Sequence, residues 1–157
     1  MKPFLISFFF SMIFLSLFAQ TPCDEGRYAS DVFSDFVKTS NINYGSNTNW
    51  FGGTTQLTMD FYEPEGDTEP ERPLIIWVHG GSFIGGSKTD PDMVEFSERF
   101  ALKGYACASI DYRLGFFPFD SANAVKAVVR AVQDLRGAVR YFYKDKQTAN
   151  QYKIDTN

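Results

Sequence analysis

Leu74-Ile75-Ile76-Trp77-Val78-His79-Gly80-Gly81-Ser82-Phe83 is the stretch that decides the fold. Five consecutive apolar residues, rich in β-branched types, predict a strand buried on both faces, as in a parallel sheet. The glycines that follow let the backbone turn sharply at the strand's end. Downstream, Asp90-Pro91 opens a helix, with Asp90 as N-cap and Pro91 at the first helical position. Met93, Phe96, Ser97 and Phe100 share one face of that helix, and Gly104 closes it. Tyr105 to Ile110 reads as a second buried strand. A Phe/Pro loop from Gly115 to Phe119 leads to a long helix starting near Ser121. Its Val125, Val128, Val129, Val132, Leu135, Val139 and Phe142 fall on one apolar stripe. This βαβα order points to an α/β fold with a mostly parallel sheet flanked by helices.

Upstream, Phe36 to Tyr44 is weakly strand-like and ends at the turn cluster Gly45-Ser46-Asn47, and Asn49 to Thr55 reads as loop. Leu57 to Tyr62 alternates apolar and polar residues, the mark of a half-buried strand. Pro64 to Pro73 reads as an acidic surface loop and the tail from Lys144 as polar. Asp111 and Arg113, just past the second buried strand, are expected to pair with each other or with the long helix, because charges beside a core are paired. Arg130 and Asp134, four residues apart, read as a surface ion pair.

Composition narrows the function. The chain has 157 residues, 44 % hydrophobic and 22 % charged, which is globular composition. Its net charge of −4 and pI near 4.9 argue against nucleic-acid binding, which needs a positive field. One His and two Cys exclude a zinc finger and a His-rich metal cluster. No cofactor or metal is called for.

The first residues read as an address. Lys2 supplies a positive start, Phe4 to Phe18 is apolar apart from Ser7, Ser11 and Ser16, and Ala19 marks a cleavage site. Residues 1–19 are thus expected to be a secretory signal peptide, with the mature chain from Gln20 secreted or periplasmic. A helix of about 22 Å falls short of the roughly 30 Å of a bilayer core, so no stable membrane anchor is expected. Export puts Cys23 and Cys107 in an oxidising place. Cys107 reads as a small buried hydrophobe in mid-strand, which disfavours its pairing with Cys23.

His79-Gly80-Gly81-Ser82-Phe83 carries the chemistry. One reading is a tight turn without function. A second is a phosphate loop, but in Ser87-Lys88-Thr89 the lysine comes one place late for the Walker ending. The third is a nest of backbone N–H groups, free of the sheet ladder, that stabilises a developing oxyanion. A buried strand followed at once by His-Gly-Gly-small-Phe favours the third.

Together with Asp111-Tyr112-Arg113-Leu114 and Gln133-Asp134-Leu135-Arg136-Gly137-Ala138-Val139-Arg140-Tyr141-Phe142, this motif resembles the N-terminal part of the α/β-hydrolase carboxylesterases. The hormone-sensitive-lipase and para-nitrobenzyl-esterase branches both carry this order. The resemblance covers about residues 55–157 and implies an incomplete, N-terminal half of that sheet, with a further strand beside Leu74–Val78. Ile154 to Asn157 resembles the lead-in to the next strand. By the same resemblance, Gly81 and Ser82 supply the oxyanion N–H groups, Gly80 allows close approach, and His79 orients the loop without being the base. Ser82 stands where the family commonly has Gly. Phe116, Phe117 and Phe119 either line an acyl or alcohol pocket or simply pack the loop.

A serine esterase of this fold needs Ser, then Asp or Glu, then His, with the serine in G-x-S-x-G. No G-x-S-x-G occurs in these 157 residues, and the one His is His79. Nucleophile, acid and base are therefore absent from them. Two readings follow: a fragment of a secreted serine carboxylesterase acting on a small-molecule or lipid ester, or a non-catalytic, esterase-fold binding protein.

Overall fold

The structure, a computed structural model, describes residues 26–156. The expected signal peptide (1–19) and Cys23 lie outside the described residues. In chain order the elements are β1 (Phe36–Thr48), β2 (Thr54–Pro64), β3 (Leu74–Val78), α1 (Pro91–Leu102), β4 (Ala106–Ile110) and α2 (Ser121–Gln147). The four strands form one sheet in the order β1-β2-β4-β3. β3 and β4 are parallel, with Leu74 opposite Ala106 and Val78 opposite Ile110. The β1–β2 and β2–β4 pairings are antiparallel, so the described sheet is mixed and its parallel part lies where the βαβ order placed it.

Side-chain alternation along β4 sorts the two layers. Ala106, Ala108 and Ile110 join Met59, Phe61, Ala138 and Phe142 in the core beneath α2. Cys107 points the other way, with Tyr62 and Ala101, into the core beneath α1. Burial pushes the Cys107 thiol up to about 12, against a lowering contact from Trp77, which leaves it an inert core residue.

Several elements depart from the expectations. β1 runs on through Gly45-Ser46-Asn47 to Thr48, with irregular register between Thr39 and Ile42 and again between Asn43 and Gly45. The irregularities absorb the glycine, and the true turn is at 49–53, where Asn49 Oδ1 accepts the Phe51 and Gly53 amides, each at 3.0 Å. β3 is only half-buried because, among the described residues, β4 is its one strand partner along Leu74–Val78. Pro73 O accepts from Ala106 N on the β4 side, whereas Arg72 bonds the opposite way, to Lys153 O and Asp155 N. The resulting parallel bridge between Arg72 and Ile154 brings the end of the chain to the outer edge of β3. The 64–73 loop is not wholly surface, since Asp67 is turned in against Arg27 and the buried Arg72. In the tail, Tyr152 and Ile154 belong to the core.

α2 begins at Ser121 with Asp120 as its cap, but the valine stripe is not its buried face. Val125, Val128, Val129, Val132 and Val139 are exposed, and Ala127, Ala131, Asp134, Ala138 and Phe142 are buried. Alanines let the helix axis approach the sheet closely, and the bulkier β-branched valines do not. Asp134 is accordingly no surface partner of Arg130. It is 1 % exposed and takes the Arg113 side chain, Nε to Oδ2 at 2.8 Å and Nη2 to Oδ1 at 2.8 Å, as well as the Arg113 amide at 2.9 Å. Of the two alternatives for Arg113, the helix is the one realised. Arg130 instead lies over the Trp50 ring at 4.9 Å.

Removing one partner of a buried ion pair leaves the other charge uncompensated, at about 3–5 kcal/mol. Arg113→Met is expected to cost that much in urea unfolding, and adding Asp134→Leu should restore most of it. A single variant within about 1 kcal/mol of the parent would contradict this placement.

Candidate functional site

The loop from His79 to Asp90 leaves the carboxyl end of β3. His79 is buried, its ring stacked on Tyr112 with centroids 4.4 Å apart and planes at 17°. Its Nδ1 lies 2.8 Å from Gly80 O; a carbonyl only accepts, so this nitrogen carries the proton. Tyr112 Oη donates to His79 O at 3.0 Å. Burial, then the Asp90 charge, raises the Tyr112 phenol above its ordinary value, which keeps it a donor.

Past Gly80 the chain enters a left-handed run: Gly81 at φ 105°, Ser82 at 54° and Phe83 at 63°. Gly81 O accepts from Ile84 N at 3.0 Å and Gly85 N at 3.1 Å, which closes the turn. A Cβ on Gly81 would sit 2.2 Å from Gly85 O, and one on Gly86 would sit 2.4 Å from His79 Nδ1, so both positions demand glycine. Gly80 has open space where a Cβ would go. Among the described residues, the amides of Gly80, Gly81, Ser82 and Phe83 donate to no protein acceptor. Consecutive free N–H groups on a left-handed turn form a concave donor nest suited to an anion. Gly80, Gly81 and Ser82 are exposed.

The far end of this loop is held by residues that sequence reasoning missed. Lys88 is buried. Its Nζ lies 2.9 Å from Asp60 Oδ1 and 3.0 Å from Asn41 Oδ1. Asp60 also takes the Asn41 amide at 3.0 Å and Lys38 Nζ at 3.0 Å. The backbone of Lys88 is fixed too, its amide on Asp111 Oδ1 at 2.8 Å and its carbonyl accepting from Ser109 Oγ at 2.8 Å. The alternation of 57–62 had put Asp60 on a solvent face. The irregular register of β1, which sets Asn41 at φ 60° with its amide on Asp60 and its side-chain oxygen on Lys88, carries no sequence signal of its own. Asp90 begins α1 as predicted, yet its carboxylate makes no cap bond to the helix. It accepts from Ser87 N at 3.1 Å and tightens the loop instead. Among the described residues, no group of three or more His, Cys, Asp or Glu is placed to hold a metal ion, and no helix is long and apolar enough to cross a membrane.

The second loop at this end of the sheet follows β4. Gly115 N donates to Phe83 O at 2.7 Å, joining it to the nest. Phe116, Phe117 and Phe119 lie on it, so the nest and the three phenylalanines are brought to one end of the parallel pair.

The BD-FAE family model matches residues 59–157. Gut esterase 1 of Caenorhabditis elegans is 27 % identical over 122 residues, which cover 69 % of this chain and 21 % of that protein. Carboxylesterase 3B of Mus musculus is 38 % identical over 68 residues, 43 % of this chain and 11 % of that protein. Among solved structures, esterase B from Lactobacillus rhamnosis inhibited by a tributyrin phosphonate aligns with a TM-score of 0.52 at 23 % identity, over 84 % of this chain and 37 % of that one. The last likeness is one of fold.

Two expectations follow from the geometry. Gly81→Ala is expected to destabilise the protein by about 2 kcal/mol or more, from the left-handed backbone and the clash together, whereas Gly80→Ala stays within about 0.5 kcal/mol. Urea titration of the pair checks this, and equal costs would contradict the turn. The second concerns acid. Burial opposes ionisation of Asp60, but the Asn41 amide and the Lys88 and Lys38 ammonium groups outweigh it and hold the carboxyl below its ordinary value. A lowered folded pKa stabilises the fold above the unfolded value of about 4, and this stabilisation is lost as pH falls through the folded value. The acid-induced drop in urea midpoint should therefore be smaller in Asp60→Asn than in the parent; an equal drop would contradict it.

Proposed function

Because the chain belongs to the BD-FAE family, a domain of α/β-hydrolase type, we propose that it forms the oxyanion-binding part of a secreted serine carboxylesterase. The observation that carries this reading is the run of partnerless amides on the left-handed turn directly after β3. In ester hydrolysis a nucleophile adds to the carbonyl carbon, and the carbonyl oxygen takes up negative charge. The amides of Gly81 and Ser82 would donate to that oxygen, with Gly80 letting the ester approach. His79 has its Nδ1 proton on Gly80 O and its ring against Tyr112, which suits a loop-orienting role and not that of a base. Serine, acid and base would come from sequence outside these 157 residues, which contain no G-x-S-x-G and no second histidine.

Ser82 replaces a glycine common in the family at little cost, because the donor is its backbone N–H and not its hydroxyl. The turn is already closed by Gly81 O and held by Phe83 O, so the donors need no rearrangement as charge develops. Donors fixed in this way are worth several kcal/mol once the rest of the site excludes water from them.

The 157 residues alone are expected to give no hydrolysis of p-nitrophenyl esters. In a complete reading frame that supplies G-x-S-x-G, Gly81→Ala should lower kcat about 10²–10³-fold, and Ser82→Ala should lower it far less. Turnover by the 157 residues alone, or a larger loss from Ser82→Ala than from Gly81→Ala, would overturn the assignment.

A further inference from the structure

The amide nest accounts for the loop after β3 but not for the loop after β4. From the geometry we infer that Phe117 and Phe119 form an apolar wall beside the nest that receives a bulky apolar group of the ester, a proposal that rests on the esterase reading above. Both loops leave the carboxyl ends of adjacent parallel strands, and in open α/β sheets that is where ligands bind.

The phenylalanine loop is held at both ends. Gly115 N donates to Phe83 O, within the nest loop, at 2.7 Å. Pro118 O accepts from Asp120 N at 2.9 Å and from Asn123 Nδ2 at 3.1 Å, which fastens the other end to the start of α2. The rings meet edge to face, Phe116 and Phe119 with centroids 5.3 Å apart and Phe117 and Phe119 at 5.8 Å. Anchored and clustered in this way, Phe117 is still 63 % exposed and Phe119 68 % exposed. A loop that existed only to cover its own core would turn these two side chains in. Large apolar side chains held open on a fixed backbone, next to a polar nest, make a surface that gains from an apolar ligand group. The third ring, Phe116, is partly buried and backs the other two. On the nest side of the Gly115–Phe83 link, Phe83 meets the buried Tyr112 edge to face at 6.1 Å, which steadies the residue that holds Gly115.

The apolar group sits either on the acyl or on the alcohol side of the ester, and the test separates the two. In the complete reading frame, Phe117→Ser/Phe119→Ser is compared with the parent on two pairs of substrates. The acyl arm sets p-nitrophenyl octanoate against p-nitrophenyl acetate, and the alcohol arm sets 1-naphthyl acetate against methyl acetate. The expected result is a fall of about tenfold or more in the kcat/KM ratio, large over small, in at least one arm. Phe117→Leu/Phe119→Leu should recover most of that ratio, because the wall is read for apolar bulk. Ratios unchanged in both arms would overturn the proposal, as would an equal loss in the leucine variant.

A parent that hydrolyses none of the four esters would sink the esterase reading. The wall is then judged by binding. Octanoate and 1-naphthol are titrated into the protein while the amide resonances of Gly115, Phe116, Phe117, Phe119 and Asp120 are followed. Saturable shifts that vanish in the serine variant support the wall, and no saturable shift with either ligand overturns it.

Discussion

The pairing of Arg113 with Asp134 is the interaction on which the rest of the structure depends. Both side chains are buried, so their charges are tolerable only in the geometry that satisfies them together. Arg113 also donates to Thr48 O at 2.8 Å and to Gln133 Oε1 at 3.1 Å. One guanidinium thereby fixes the end of β4 against α2 and against the far end of β1. Two residues earlier, Asp111 holds the Lys88 amide and the Thr58 hydroxyl. The three residues after β4 thus set the position of the long helix, the hairpin and the loop that bears the nest. The valine face of α2 follows from the same constraint. With Asp134 committed to Arg113, Ala127, Ala131 and Ala138 must face the sheet, and the valines lie to the side.

A second constraint is steric. The chain leaving β3 must reverse within a few residues while passing over the His79 ring, and the two sites of closest approach are Gly81 and Gly86. No side chain at either place is compatible with the turn. The donors it exposes are main-chain groups whose direction follows from φ and not from side-chain identity, which is why a serine is acceptable at position 82.

How much of this was legible in the sequence follows from which forces leave a local trace. The strands at 74–78 and 106–110, α1 from Pro91 and the start of α2 were legible, because continuous apolar runs, proline and N-cap residues act within a few positions. The glycine loop was legible as a sharp turn after the strand, because Gly81 and Gly86 sit where a Cβ would clash. Periodicity found the valine stripe of α2 but does not say which face meets the sheet; the choice is made by Arg113, some twenty residues away. Asp60 was misread for a similar reason. Alternation assigns a polar residue to solvent, whereas Asp60 is neutralised from Lys88 and Lys38, and neither is a neighbour in sequence. The length of β1 was missed because a glycine absorbed by an irregular register looks, locally, like a turn.

The long-range ion pairs that were illegible also bear on the chemistry proposed for the nest. The chain carries a net charge of −4, and an unpaired carboxylate beside a developing oxyanion would oppose it. The two deeply buried carboxylates near this end of the sheet are each matched, Asp60 by Lys88 and Lys38, and Asp134 by Arg113. Asp111 spends both its oxygens on the Lys88 amide and the Thr58 hydroxyl. The turn itself carries free amides and the Ser82 hydroxyl, while Asp90, at the end of the same loop, accepts from Ser87 N and Ser87 Oγ and has no cationic partner among the described residues. In the proposed reading the donors act through main-chain dipoles fixed by the turn, and they gain full strength only when further groups cover the exposed Gly80, Gly81 and Ser82 and exclude water. Asp60, Asp111 and Asp134 are satisfied within the scaffold, whereas Asp90, whose charge acts on Tyr112, stays against the loop and sets a limit on how favourable the field at the turn is.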